Sequence, residues 1–536
     1  MKQVGDATAT SAGRNAARTL STSPRLASVL AATSVGAILL LTIFRIADAP
    51  APLQGLGQLI FVASFASLAV VDFRASVAIA IVELATFGAG GHWTLFGGGP
   101  SGRIVLDAIV TLRALGTIGV EWRRSGHLDL GRYGLHAVFL AVVIPAVWMT
   151  IGLANGNHPS DVFADGNGLA FFGFTTAFVV LLRRGQGPWL RHWLLVACAV
   201  SAVVLGLLIA ATASGLLPMG SDLHQILLEK LSFGGNFGYQ SNGAYRLYLG
   251  SGIYLQVGLA LATWRLLSGR PGFWLWSLYA LLWIDVIATY TRGFWIGAAL
   301  SVGLILVLGA VSIRRPLEIV AMSLVLFALA SGAGSLVGFS LPDYVLYRTA
   351  SSLSLGPGQS PAPSAQPGTT PYPGGSGTPG TTPSPTPNPG LDVAGEVSNQ
   401  VRVEQGRVLI GHIQERPLLG FGFGSIARDY QYGQIFSYEL AYLDLLYKAG
   451  VVGLVLFLSY PLRLLLDALR GRLGRIALGQ GVTPREASVV LGIVAPLLVT
   501  GGTDPYLLAA FGLFPILATV AWLDPLGDRD AATAAS

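Results

Sequence analysis

Residues 273–309 read FWLWSLYALLWIDVIATYTRGFWIGAALSVGLILVLG, with Asp285 and Arg292 as the charged side chains. Two apolar runs flank Thr289, Tyr290, Thr291 and Arg292, and each is close to the length that crosses a roughly 30 Å hydrocarbon core as a helix. In lipid each segment must satisfy its own backbone hydrogen bonds, so the runs are read as helices joined by a tight turn. The pattern continues in both directions. Of 536 residues 52% are hydrophobic and 11% charged, against about 25% charged in an ordinary soluble domain. A soluble globular fold is excluded, and the expected class is an all-α, polytopic transmembrane helical bundle.

Apolar runs of about 17 to 25 residues place helices near 27–47, 56–73, 75–96, 103–121, 134–154, 167–183, 190–213, 247–267, 272–290, 293–312, 316–338, 437–466, 485–502 and 506–523. The third, with its glycines from Gly88 to Gly91, and the short C-terminal pair set the expected count at about twelve to fourteen spans. With both termini cytoplasmic, basic residues such as Arg123, Arg124, Arg183, Arg184, Arg314, Arg315, Arg470 and Arg472 fall in short inner loops. Charge bias over short loops sets orientation, so the segment 339–436 is expected to be a large extracytoplasmic loop of a multi-pass cytoplasmic-membrane protein. The remaining divisions are a cytoplasmic N-terminal segment 1–26, a transmembrane unit 27–338, a second unit 437–524 and a cytoplasmic tail 525–536. The first span reads as an uncleaved signal anchor.

Orientation also accounts for the net charge of +6. Only three of the 33 basic residues are Lys, and most lie between apolar blocks, so nucleic acid is not an expected partner. Cys198 is the single cysteine and lies in an apolar block, which excludes a disulfide within the chain.

The outer loop has two parts. From Gly356 to Gly390 there are 11 prolines in 35 residues, a composition too poor in apolar groups to offset the entropy of ordering, and a disordered tether is expected. Within 396–424 the apolar residues Val401, Val408, Leu409 and Ile413 recur at helical spacing. A short surface helix ending before Pro417 is expected, followed by a Gly-rich turn at Gly420, Phe421, Gly422, Phe423 and Gly424.

Ionisable groups at or near the bilayer carry the functional signal, because each costs about 2.5–3.5 kcal/mol at mid-helix on insertion scales. Arg246, at the expected start of the eighth helix, Arg292, Arg402 and Glu439 gather at the outer end. Outward-facing arginines suit a diphosphate, since guanidinium binds phosphate oxygens bidentately and keeps its charge. The plainer alternative is an arginine reaching up to lipid headgroups. Arg402 and Arg416 share a helical face, whereas Arg407 lies about 140° away from Arg402. Glu439, at the expected start of the twelfth helix, is either a helix-start charge or a general base. Deeper in the bundle, Glu83 is expected to pair with Arg113 and Asp444 with Lys448, while Asp285 is placed to orient Arg292 or a neighbouring arginine. The seven histidines form no ligand cluster, and no nucleotide-binding loop is present, so no metal or cofactor is expected.

These residues resemble the O-antigen ligase and O-antigen polymerase superfamily of bacterial membrane glycosyltransferases. The resemblance rests on Arg402 followed by Pro417 and the turn from Leu418 to Gly422, on Tyr442 and Leu443, on Gly450, Val451, Val452, Gly453 and Leu454, and on Thr291, Arg292, Gly293, Phe294 and Trp295. It covers the second half of the chain from Arg246. Glu439 stands where the ligases carry a histidine. The resemblance implies a glycan donor linked to undecaprenyl diphosphate, a glycan or lipid-linked acceptor hydroxyl, inversion at the anomeric carbon, and no cofactor. It further implies that Glu439 takes the acceptor proton and that Arg292 and Arg402, with Arg246 in support, bind the diphosphate. A secondary transporter or flippase of lipid-linked oligosaccharide is the alternative. It is disfavoured by the outer position of the polar groups and by the lack of an internal repeat.

Overall fold

The computed structural model describes residues 24–86, 101–127, 130–217, 236–239, 245–248, 250–269, 271–310, 312–336, 341–342, 393–427, 438–472, 483–502 and 505–523. The Pro-rich segment 356–390, the glycines from Gly88 to Gly91, the first 23 residues and the tail 525–536 lie outside them.

The first half holds α1 (Pro24–Ile46), α2 (Ala51–Val71), α3 (Phe73–Thr86), α4 (Gly102–Ser125), α5 (Gly131–Ala154), α6 (Pro159–Ala170), α7 (Thr175–Arg183) and α8 (Gly187–Ala213). A short antiparallel hairpin follows, β1 (Asn236–Tyr239) with β2 (Tyr245–Tyr248). The second half comprises α9 (Ile253–Ser268), α10 (Phe273–Ala288), α11 (Arg292–Gly309), α12 (Arg314–Leu336), α13 (Val393–Glu415), α14 (Ala441–Arg472), α15 (Pro484–Thr500), α16 (Ala510–Ala518) and α17 (Val520–Leu523). Each expected span contains helix, although the eighth begins in strand β2 and residues 87–96 of the third lie outside the described residues. Among the described residues eight helices are long and apolar enough to cross a membrane, fewer than the twelve to fourteen expected. The others are too short, as α10 is with 16 residues, or too charged, as α4 is with Arg103, Asp107 and Arg113. The chain is a multi-pass membrane protein.

Small residues bring the helices of the second half together, as lipid-embedded packing requires. Gly492 of α15 abuts Ile305 and Ser301 of α11, Gly309 faces Ser488, and Gly297 abuts Gln256 and Thr500. Larger side chains join the two halves, where Phe171 stacks on Phe174, and Phe174, Phe178 and Phe514 of α16 meet edge to face. Such aromatic pairs contribute about 0.5–1.5 kcal/mol each beyond their burial.

Long-range polar contacts define the two ends of the bundle. At one end Arg183 meets Glu121 at 3.2 Å, Arg191 meets Glu486 and the Ala521 carbonyl, and Tyr133 donates to Asp467 at 2.9 Å beside Arg132. At the other end Phe294 stacks on Tyr506, Gly252 packs against Phe294, and Gly502 lies against Tyr442. The arginine-rich turns thus lie together, away from the starts of α11 and α14.

One expected pairing is corrected. Glu83 binds Arg103 through two hydrogen bonds of 2.9 and 3.0 Å, with both side chains almost fully buried. Arg113 instead donates to the Ala69 carbonyl and to Thr117. Arg113 lies farther along α4, and only Arg103, in the first turn of that helix, reaches Glu83 near the end of α3.

Candidate functional site

Helix α13 forms where the apolar stripe predicts it. Val408 and Leu409 are buried with Ala427, Tyr438 and Tyr447, and Val401, Ile413, Phe421 and Leu443 pack around them. The stripe therefore seats α13 on the beginning of α14. Tyr438 seals the contact by accepting the Ala427 N–H at 2.7 Å through its hydroxyl.

This docking creates the central feature of the site. Arg402 donates from Nε to Glu439 Oε2 at 2.7 Å, across 37 residues of sequence. One turn further along α13, Gln405 accepts the Glu439 backbone N–H at 3.1 Å. Gln405 is 2% exposed, whereas the Arg402 and Glu439 side chains are 24% and 44% exposed. Glu439 is thus held from below by a buried amide and from the side by a guanidinium, with its carboxylate open to solvent. It does not start the helix as expected. That helix, α14, begins at Ala441, and Asp444 is the acidic residue of its first turn, so the helix-dipole role belongs to Asp444.

Arg407 faces away from Arg402, in keeping with the helical angles, whereas Arg416, expected on the Arg402 face, lies just past the end of α13 at Glu415. Arg407 binds Glu404 at 2.7 and 2.9 Å, and that hydrogen bonding holds the Glu404 carboxyl below its ordinary value. Arg416 reaches Asn155 and lies over the Phe421 ring.

Beyond Pro417 the chain turns into the bundle. Gly420, Gly422 and Gly424 all have positive φ, at 66°, 87° and 74°, a region that L side chains enter at a cost. The turn lies against a break in α14 at Gly450, where φ is 64° and ψ −173°. A break frees backbone groups that lipid cannot satisfy, and the turn pairs with them. Phe421 and Gly422 donate to the Tyr447 and Lys448 carbonyls at 3.0 and 2.8 Å, and Val451 and Val452 donate to the Pro417 and Leu418 carbonyls at 2.9 and 3.2 Å. From α5, Trp148 donates to the Leu419 carbonyl and its own carbonyl accepts from Phe423. Beyond its end, Asn155 and Asn157 donate to the Phe421 and Phe423 carbonyls.

A buried charge cluster anchors the same turn. Lys448 bonds Asp444 at 3.0 Å, as expected from their spacing, and also Asp165 of α6 at 2.9 Å. Asp165 in turn accepts the Gly424 N–H at 2.7 Å. Sequence reasoning missed Asp165, Gln405 and the two asparagines. None of these left a clear local signal, and Asp165 falls just before the expected start of the sixth span at 167.

A cheap test of this docking compares two glycines. In Gly422→Ala the new Cβ meets the backbone of Gly152 at an already unfavourable φ. A loss of about 1–3 kcal/mol is expected from strain alone, read as a lower melting temperature in detergent. Gly411→Ala, on α13 with open space around it, should gain up to about 1 kcal/mol.

Arg292 opens α11 and is half-buried, at the same end of the bundle as Glu439. Phe294 stacks on Tyr506 just beyond α15, and Tyr442, three residues after Glu439, donates to the Leu498 carbonyl of α15. Arg246 does not open a helix. It lies on β2 in register with Gly238, and α9 starts only at Ile253 because the Tyr245–Tyr248 run pairs as a strand. Asp285 does not orient Arg292. The chain breaks at Tyr290, whose φ is 48°, so the shared helical face is lost. The Asp285 side chain lies beside Gly206 of α8, with neither carboxylate oxygen hydrogen-bonded among the described residues.

Residues 277–458 match the model of the O-antigen ligase family. The matched region runs from within α10 through the Gly450 break in α14 and contains Arg292, Arg402, Gln405 and Glu439. It leaves out Arg246 and the helices before α10. No curated protein matches the chain. Among the described residues there is no group of three or more His, Cys, Asp or Glu arranged to hold a metal ion.

Proposed function

We propose that this protein is a membrane glycosyltransferase. It moves a glycan from an undecaprenyl-diphosphate-linked donor to an acceptor hydroxyl at the outer face of the cytoplasmic membrane, in cell-surface polysaccharide synthesis as a ligase or polymerase. The observation that carries the reading is the contact of Arg402 with Glu439. It joins a phosphate-binding side chain to a carboxylate base inside the region that matches the O-antigen ligase family. The end bearing this pair is taken as extracytoplasmic because the arginine-rich turns gather at the other.

In this mechanism the acceptor oxygen attacks the anomeric carbon, Glu439 takes its proton, and the lipid diphosphate leaves from the opposite side. Arg292 and Arg402 stabilise the charge that grows on the diphosphate. Arg246 supports them from the hairpin before α9, whose neighbouring Gly252 packs on Phe294, two residues from Arg292.

A broken helix with buried charges is also a transporter signature, where the break coordinates cargo. Here the carbonyls and N–H groups around Gly450 are taken up by the chain's own glycine turn, which favours a structural break over a transport site. Purified protein incubated with a lipid-linked oligosaccharide and an acceptor should release undecaprenyl diphosphate. Translocation of the donor without release would refute the transferase reading.

Arg292→Lys keeps the charge and loses the planar fork. Donor turnover in that variant should fall about tenfold or more, and unchanged turnover would reduce Arg292 to a headgroup anchor.

A further inference from the structure

The two roles proposed for Arg402 and Glu439 compete in the geometry observed, because the two side chains are turned to each other. Arg402 Nε donates to Glu439 Oε2, which turns the guanidinium toward the carboxylate instead of a phosphate and leaves that carboxylate oxygen paired instead of facing an acceptor hydroxyl. We propose that the pair is a donor-operated latch: the diphosphate of the lipid-linked donor takes Arg402 from Glu439, and only then is Glu439 free to act on the acceptor. The inference rests on the transferase reading and adds the order of events to it.

Three features suit the pair to exchange. First, it is partly solvated, at 24% and 44% exposure, and exposed ion pairs are weakly held. A diphosphate offers more charge and a matching fork of oxygens, so it competes well for the guanidinium. Second, Gln405 holds the Glu439 backbone independently of the ion pair. The carboxylate therefore keeps its place when Arg402 swings away. Third, α13 is fixed by the packing of Val408 and Leu409 with Tyr438 and Tyr447 and by the glycine turn beyond it. The exchange needs only side-chain rotation, with no movement of the helix.

Coupling base release to donor arrival has a chemical consequence. An acceptor that reaches the site before a donor meets an occupied carboxylate, and the protein binds substrates in a preferred order, donor first.

The test is a double-mutant cycle on binding of undecaprenyl diphosphate to the full-length protein in nanodiscs. Glu439→Gln removes the competing charge and should tighten binding roughly three- to fivefold. Loss of a nearby negative charge would also tighten binding without any latch, so the same change is made in an Arg402→Gln background. The latch requires the gain to vanish there. A gain of equal size with and without Arg402 would overturn it, as would no gain in the single variant. If wild-type protein fails to bind undecaprenyl diphosphate at all, the transferase reading fails and the latch falls with it. Glu439→Asp gives an independent check, because a shorter carboxylate weakens the pair while keeping the charge. Binding should then be tighter than wild type, and weaker binding would count against the latch.

Discussion

Glu439→Gln is expected to lower glycan transfer by roughly 10²- to 10⁴-fold, the usual contribution of a positioned general base. The change keeps side-chain size and leaves the backbone bond to Gln405 intact, so insertion and folding should match wild type. The expected signature is therefore a loss of turnover without weaker donor binding. A correctly inserted variant that transfers glycan at the wild-type rate would remove Glu439 from the chemistry. Glu439→His restores a neutral base of the type that the ligase pattern carries. Its activity should rise with pH through about 6.5, as the imidazole loses its proton. The nearby Arg402 guanidinium disfavours the imidazolium and moves that rise to lower pH.

Lys448→Met is expected to have the largest effect on stability. Lys448 is 2% exposed and is shared between Asp165 and Asp444. Its removal leaves the acidic groups of α6 and α14 side by side without the cation that they share. Breaking a buried pair of this kind costs about 3–5 kcal/mol, a large part of the stability of most folds. The same change loosens the glycine turn, because Asp165 also holds the Gly424 N–H. Aggregation on detergent extraction and loss of a cooperative melting transition are the expected outcomes. The triple variant Lys448→Met, Asp165→Asn, Asp444→Asn removes the charges together and should recover most of the loss. A single variant that melts like wild type would show that the cluster contributes little.

Much of the architecture follows from local sequence. The stripe Val401, Val408, Leu409 and Ile413 predicts both a helix and its buried face, and all four residues lie at its contact with α14. Their period is a property of one helix, and burying an apolar face against a neighbour is nearly obligatory. The Asp444–Lys448 pair is legible for the same reason, since i, i+4 residues meet on any helix. The failures have a common cause. Glu83 chose Arg103 over Arg113, and Arg246 joined a strand, because these outcomes depend on how neighbouring elements are offset along their axes. Depth inferred from sequence position is too coarse to resolve one turn of helix, about 5.4 Å.

The sequence by itself determined the class of this protein, the approximate positions of most of its helices and the gathering of many of its arginines in the turns at one end. Lipid enforces these choices segment by segment, because every helix must pair its own backbone and every charge has a cost that depends on depth. Only the tertiary structure decided that Arg402 meets Glu439, that Gln405 holds it in place, and that Asp165 and the glycine turn complete the break at Gly450. Each of these contacts joins residues far apart in the chain. It depends on which helices become neighbours and at what offset, and no local periodicity carries that information.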